Sequence, residues 1–100
     1  MKCTILCKSI QYYSSFDEDL FFEWVKKIKS ITKFDGKHDE LYLHFESKTI
    51  DDDDLRELLA LFHRYKIKHI NQLKLFLNET NRCWFYENKH AYWHKKIFNA

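Results

Sequence analysis

One hundred residues, 45% hydrophobic and 18% aromatic, make a single domain over residues 1–100 with apolar material for one modest core. Gly and Pro together supply one residue, which excludes a Gly-rich phosphate loop, a Pro-rich linker and a low-complexity tail. The net charge of +2 hides a division: residues 1–60 carry nine Lys and Arg against thirteen Asp and Glu, residues 61–100 eight against two. One small body can therefore present both an acidic and a basic surface.

Cys3, Cys7 and Cys83 are an odd set with no CxxC pair, which excludes a zinc ribbon. The apolar run after Lys2 is only CTILC, too short for a signal h-region or a membrane span. The expectation is a cytoplasmic protein with free thiols and no membrane partner, in which Cys3 and Cys7 pack as small hydrophobes.

The stretch from Lys2 to Tyr13 is a strand candidate. Cys3, Ile5 and Cys7 share one face; Leu6, Ile10 and Tyr12 share the other, which suits a central strand. Ser15 and Glu18 have capping-box spacing, and a helix is predicted from about Phe16 to Ser30. Its buried stripe is predicted as Leu20, Phe21, Trp24, Ile28 and Ile31. Asp17, Glu18 and Asp19 open it and Lys26, Lys27 and Lys29 close it, the order that suits the helix dipole. Glu23 and Lys27 form an i,i+4 pair.

Residues 31–34 and 40–46 read as a β-hairpin turned by Asp35-Gly36, the strongest turn signal in the chain. In the second arm Leu41, Leu43 and Phe45 alternate with Tyr42, His44 and Glu46, which predicts a sheet wet on one side. The next stretch, TIDDDDLRELLALFHRY, predicts the most clearly marked helix. Leu55, Leu58, Leu59, Phe62 and Tyr65 fall on one face, aspartates stand where free N–H groups need caps, and His63 and Arg64 stand at the cation-favouring end.

After Lys66 the pattern is less decisive. Residues 70–77 fit a short helix or a strand, with helix preferred. Asn78 to Asn81 reads as a turn, Trp84, Phe85 and Tyr86 as an aromatic patch, and Asn88 as the cap of a last helix through Phe98. The predicted class is α+β: a small antiparallel sheet of about three strands packed on two amphipathic helices, with a C-terminal helical and aromatic extension.

Three groups of residues are candidates for function. Asp51, Asp52, Asp53 and Asp54, with Glu57, exceed what capping needs, and their mutual repulsion costs stability unless a cation answers it. No EF-hand order is present, so the sharper reading is a basic protein partner. Asp17, Glu18 and Asp19 form a second acidic cluster. The C-terminal run supplies Lys89, Tyr92, Trp93, Lys95 and Lys96, an alternative set for binding nucleic acid, although the acidic first half disfavours a large footprint there. His90 and His94 have the spacing of a zinc pair on a helix, but Ala91 stands where HExxH needs glutamate. They read as exposed polar side chains, so no metal and no cofactor is expected. No nucleophile stands at a defined spacing from a base, and an enzyme is not expected.

The segment FLNETNRCWFYENKHAYWHKKIFNA, with the Pro-free and Lys-, Asn-, Phe- and Ile-rich character of the whole chain, resembles small immunity proteins of bacterial contact-dependent growth inhibition systems. The Trp84-Phe85, Tyr92-Trp93 and Lys95-Lys96-Ile97-Phe98 pattern carries that resemblance. It implies a cytoplasmic protein that binds the C-terminal domain of a cognate toxin, often a nuclease, and blocks its active site. No motif carries a functional residue over, so the toxin-binding set is the acidic one named above. Many nuclease inhibitors are acidic overall, and this chain is not.

Overall fold

The structure is a computed structural model that describes residues 2–37 and 39–98. Three strands form one antiparallel sheet in the order β1-β3-β2, with β1 at Cys3–Lys8, β2 at Ile31–Lys37 and β3 at Glu40–Phe45. Two helices, α1 (Ser15–Lys27) and α2 (Asp52–Arg64), join that sheet in one core. A 3-10 helix at Ile70–Phe76 and two short helices, α3 (Arg82–Phe85) and α4 (His94–Phe98), complete the described chain. This is the α+β arrangement the sequence predicts.

The alternation in β3 survives intact: Leu41, Leu43 and Phe45 are buried, while Tyr42 and His44 are half-buried and Glu46 is exposed. β3 is the central strand. β1 is an edge strand, shorter than the Lys2–Tyr13 expectation, so apolar residues on both of its faces do not mark a central position. Its outer edge is covered in another way. The Gln72 carboxamide accepts from the Leu6 N–H at 2.8 Å and donates to the Leu6 carbonyl at 2.5 Å, as a neighbouring strand would.

The Asp35-Gly36 turn does not form. Both residues lie inside β2, opposite Tyr42 and Leu41, and Gly36 has no positive φ. Lys37 pairs with Glu40, so the reversal follows Lys37; Asp39 is in the turn and His38 lies outside the described residues. Packing overrides the local signal here. A bulge at Thr32, where Ile31 opposes Phe45 but Lys33 opposes His44, brings Ile31 and Phe34 to the same face of the sheet. Phe34 then packs on Phe22 of α1, ring centroids 5.6 Å apart. A turn at Asp35-Gly36 would forfeit that contact.

Ser14, not Ser15, caps α1, its hydroxyl accepting from the Asp17 N–H at 3.2 Å, and Asp17 answers by accepting from the Tyr13 N–H at 3.0 Å. The buried stripe of α1 is Phe21 and Val25, continued by Ile28; Trp24 is half-buried, and Leu20 stands outside. Glu23 meets Lys26, at 4.0 Å. The predicted stripe of α2 is buried throughout, joined by Leu61.

Three contacts order the two helices. Tyr65, at the end of α2, donates its hydroxyl to the Asp17 carbonyl at 3.3 Å. Trp24 Nε1 donates to Glu57 at 2.9 Å, and the Ser30 N–H, just past α1, donates to Asp54 at 2.9 Å at the start of α2. The helices therefore run antiparallel.

Residues 70–76 take the helical alternative, as a 3-10 turn whose Phe76 meets Phe45 edge-on at 5.1 Å. The Asn78–Asn81 turn forms and is buttressed by Asn81. That buried side chain donates to the Phe76 carbonyl at 2.8 Å and accepts from the Asn78 N–H at 2.9 Å. The last helix is much shorter than predicted: residues 88–93 form turns, and only His94–Phe98 is helical. His90 and His94 are therefore not one turn apart on a helix. His94 is buried, contrary to the expectation, and its Nε2–H donates to the Tyr86 carbonyl at 2.6 Å. Five phenylalanines, Phe21, Phe45, Phe62, Phe76 and Phe85, are fully buried, each worth about 2–3 kcal/mol of transfer free energy.

Candidate functional site

The four aspartates at the tip of α2 have divided labour. Asp51 is the N-cap and accepts from the Asp54 N–H at 2.9 Å. Asp54 is buried, with one carboxylate oxygen accepting from both the N–H and the hydroxyl of Ser30. It is withdrawn from the surface, and hydrogen bonds engage two of the four carboxylates, Asp51 and Asp54. Asp53 is exposed and Asp52 half-buried, beside a shallow depression that also involves Thr49, Asn78 and Thr80. Glu57 is exposed but holds Trp24.

The second predicted cluster lies at the other end. Because α1 and α2 are antiparallel, Asp17, Glu18 and Asp19 sit beside the C-terminal end of α2, about 20 Å along the axis from its aspartates for a helix of 13 residues. The two acidic groups do not merge into one patch. Glu18 lines a cleft with Tyr12, Phe22, Asp39 and Glu40. Burial, then the nearby Glu18 charge, pushes the Tyr12 phenol up to about 12.

Beside the Asp17–Asp19 cluster is a feature the periodicity misassigned. Tyr13, Phe16 and Leu20 are 74%, 77% and 62% exposed. Phe16, Leu20, Glu23 and Lys27 recur at spacings of four, three and four, one line along α1, facing away from Phe21 and Val25. Asp19, also exposed, edges it on one side. The signal available in the sequence was a second apolar pair, Phe16 and Leu20, out of phase with Phe21 and Val25.

The alternative set divides similarly. Lys89, Lys95 and Lys96 are exposed, and Tyr92 is 48% exposed. Trp93 is half-buried and donates its indole N–H to the Phe85 carbonyl at 3.3 Å, so it serves the fold rather than a stacking surface. Tyr92 leans on His63 of α2, ring centroids 4.5 Å apart. His63 in turn lines a depression of about 600 Å³ with Lys66, Lys68, His69 and Lys96, over a floor that includes Phe62, Ile67 and Ile70. These basic residues come from two segments, 63–69 and Lys96, which spacing does not bring together. Nearby, Arg56 stacks over Trp84 at 4.3 Å, and Trp84 Nε1 is buried without a hydrogen-bond partner among the described residues.

One further network joins all three strands on the solvent face. His44 Nε2–H donates to Asp35 Oδ2 at 2.7 Å, and His44 Nδ1 meets Thr4 Oγ1 at 3.1 Å. A hydroxyl, an imidazole and a carboxylate in line can move a proton, yet Thr4 and Asp35 are exposed, and the water-excluded site that makes such a line reactive is missing around them. It acts as a cross-strand tie.

No cluster of three or more potential metal ligands occurs among the described residues, and none of their helices is long and apolar enough to cross a membrane. No family model matches the chain, and comparison with curated proteins and with solved structures gives no significant match.

Proposed function

We propose that this protein is an immunity protein: a non-enzymatic binder that neutralises a cognate toxin domain, in the first instance a nuclease, by occluding its active site. The observation that carries the reading is the outward line of α1, where exposed Phe16 and Leu20 run on to Glu23 with acidic Asp19 beside them and Tyr13 at the end. Aromatic and aliphatic side chains that a partner desolvates supply most binding energy at protein interfaces. Surrounding carboxylates suit a basic cleft of the kind that grips a phosphodiester, and they speed encounter. Asp52 and Asp53 add steering charge from the other end of the helix pair.

The test uses the C-terminal domain of the secreted protein encoded immediately upstream, as purified toxin. Replacing Phe16 and Leu20 by serine is expected to raise the dissociation rate about thirtyfold, the scale of a lost anchor pair. Asp52→Lys with Asp53→Lys is expected to slow association at low salt and to lose that effect at high salt. Failure of the wild-type protein to bind that domain or to block its activity would refute the reading.

A further inference from the structure

The depression between the end of α2, the loop after it and α4 is separate from the Phe16–Leu20 line, which it meets only at Lys66, whose ammonium donates to the Tyr13 hydroxyl at 3.5 Å. Its walls carry Lys66, Lys68 and Lys96, and its rim carries His63 with the Tyr92 ring tilted against it at 51°. We infer that this depression binds single-stranded nucleic acid, the lysines holding successive phosphates and Tyr92 offering a face on which a base stacks.

Three observations argue for it. First, the fold concentrates charge that the sequence disperses: Lys66 and Lys68 come from the loop, and Lys96 from a helix about thirty residues later, yet all face one hollow. Like charges brought together repel, so a cluster of this kind favours a polyanion. Second, the loop holds Lys66 and His69 in the left-handed region, with φ of 53° and 62°. A side chain costs energy there, and the Ile67 N–H bonded to the Phe62 carbonyl at 3.0 Å fixes the loop in that shape. Third, the hollow is partly apolar, and Tyr92, 48% exposed, leans on His63 at its rim. Metal-free phosphate sites do not need an aromatic face, whereas strands with unstacked bases use one. An acidic protein surface would answer the lysines but not the exposed ring. Glu57 of α2 is close enough to raise the Tyr92 phenol after burial does, and it is engaged by Trp24.

The probe is a fluorescein-labelled oligouridylate of about ten nucleotides, a length within the usual site sizes for such proteins, read by anisotropy on the full chain. Binding is expected at low salt, with a log–log salt slope of about −2 for three phosphates on a single strand. Lys66→Gln, Lys68→Gln and Lys96→Gln are each expected to flatten that slope by roughly 0.7. Tyr92→Ala is expected to weaken binding about tenfold at unchanged slope, because stacking releases no counterions. All four side chains are at the surface, so the variants keep the fold, and the thermal midpoint of each checks this. Absence of binding at low salt overturns the inference. So does an equal loss from the control Lys33→Gln, an exposed lysine of β2 outside the depression, which would reveal diffuse attraction. Displacement of the oligonucleotide by polyglutamate at equal charge concentration, with Tyr92→Ala unaltered from wild type, would assign the depression to acidic protein instead.

Discussion

Asp54 accepts from the backbone N–H and the hydroxyl of Ser30, fastening the start of α2 to the residue where α1 gives way to β2. The contact spans 24 residues and connects both helices to the sheet's first turn of chain. A carboxylate that satisfies a buried donor is worth more than its capping neighbours, because its removal leaves the donor unpaired and dry. Asp54→Ala is therefore expected to cost about 2–3 kcal/mol in urea denaturation. Asp53→Asn, at an exposed position of the same run, is expected to change stability by less than about 0.5 kcal/mol. Equal effects of the two would mean that Ser30 finds another partner.

Gln72 does for β1 what a fourth strand would do. Both polar atoms of its carboxamide engage the Leu6 backbone on the open edge of the sheet. Gln72→Leu keeps the volume of the side chain and removes both bonds. The expected result is a loss of about 1–2 kcal/mol and faster hydrogen exchange at the Leu6 amide. An exposed strand edge is also a template for pairing between molecules, so this variant is expected to aggregate sooner than the wild type on warming. Unchanged exchange at Leu6 would show that the edge is protected by something else.

How far the sequence reached follows the range of the forces involved. α2 was legible because period, cap and dipole all agree at Asp51, Leu55, Leu58, Leu59 and Phe62. β3 was legible because Leu41, Leu43 and Phe45 alternate without interruption. Asp35-Gly36 misled because a turn signal is local, while the register of β2 is set by Phe34 reaching Phe22 across the core. α1 carries two apolar lines, and the pattern alone did not tell that Phe21 and Val25 go inward while Phe16 and Leu20 stay out. Of the acidic set, Asp52, Asp53, Glu18 and Asp19 remain at the surface, but no spacing rule predicted that Asp54 turns in or that the two clusters part. The basic depression was illegible because its lysines are neighbours only after the chain between Lys68 and Lys96 folds back.

Asn81 does for the C-terminal segment what Asp54 does for the helix pair. It is buried, and its side chain closes two bonds that no other group in its turn can make, to the Phe76 carbonyl and the Asn78 N–H. Asn81→Ala is expected to cost about 2–3 kcal/mol, and to loosen the segment carrying Phe85 and His94 before the sheet. Near-ultraviolet circular dichroism, to which Trp84 and Trp93 contribute two of the three tryptophans, is expected to lose part of its signal at lower urea than the far-ultraviolet signal. A single coincident transition would show instead that the aromatic extension unfolds together with the core.

Burial has different consequences for the thiols. Cys7 lies in the core and desolvation pushes its pKa up to about 12, whereas Cys83 is exposed. In the folded protein Cys7 therefore stays protonated through the range in which a free thiol ionises, and an aromatic disulfide reagent is expected to label Cys83 rapidly and Cys7 only on unfolding. The same shift fixes a direction with pH. Below the ordinary thiol value of 9.0 both folded and unfolded chains hold the proton, and the stabilisation is fully present. Between that value and about 12 only the unfolded chain releases it, so unfolding is favoured as pH rises, at a limit of about 1.4 kcal/mol per pH unit for one proton. Tyr12, also raised to about 12, acts in the same direction from its ordinary value of 10.0 upward. Urea midpoints measured from mildly to strongly alkaline pH are expected to fall more steeply for the wild type than for Cys7→Ala. Cys7→Ala begins less stable, because it loses buried volume, but it has no thiol to ionise on unfolding. Parallel curves would mean that Cys7 titrates in the folded protein as it does in water.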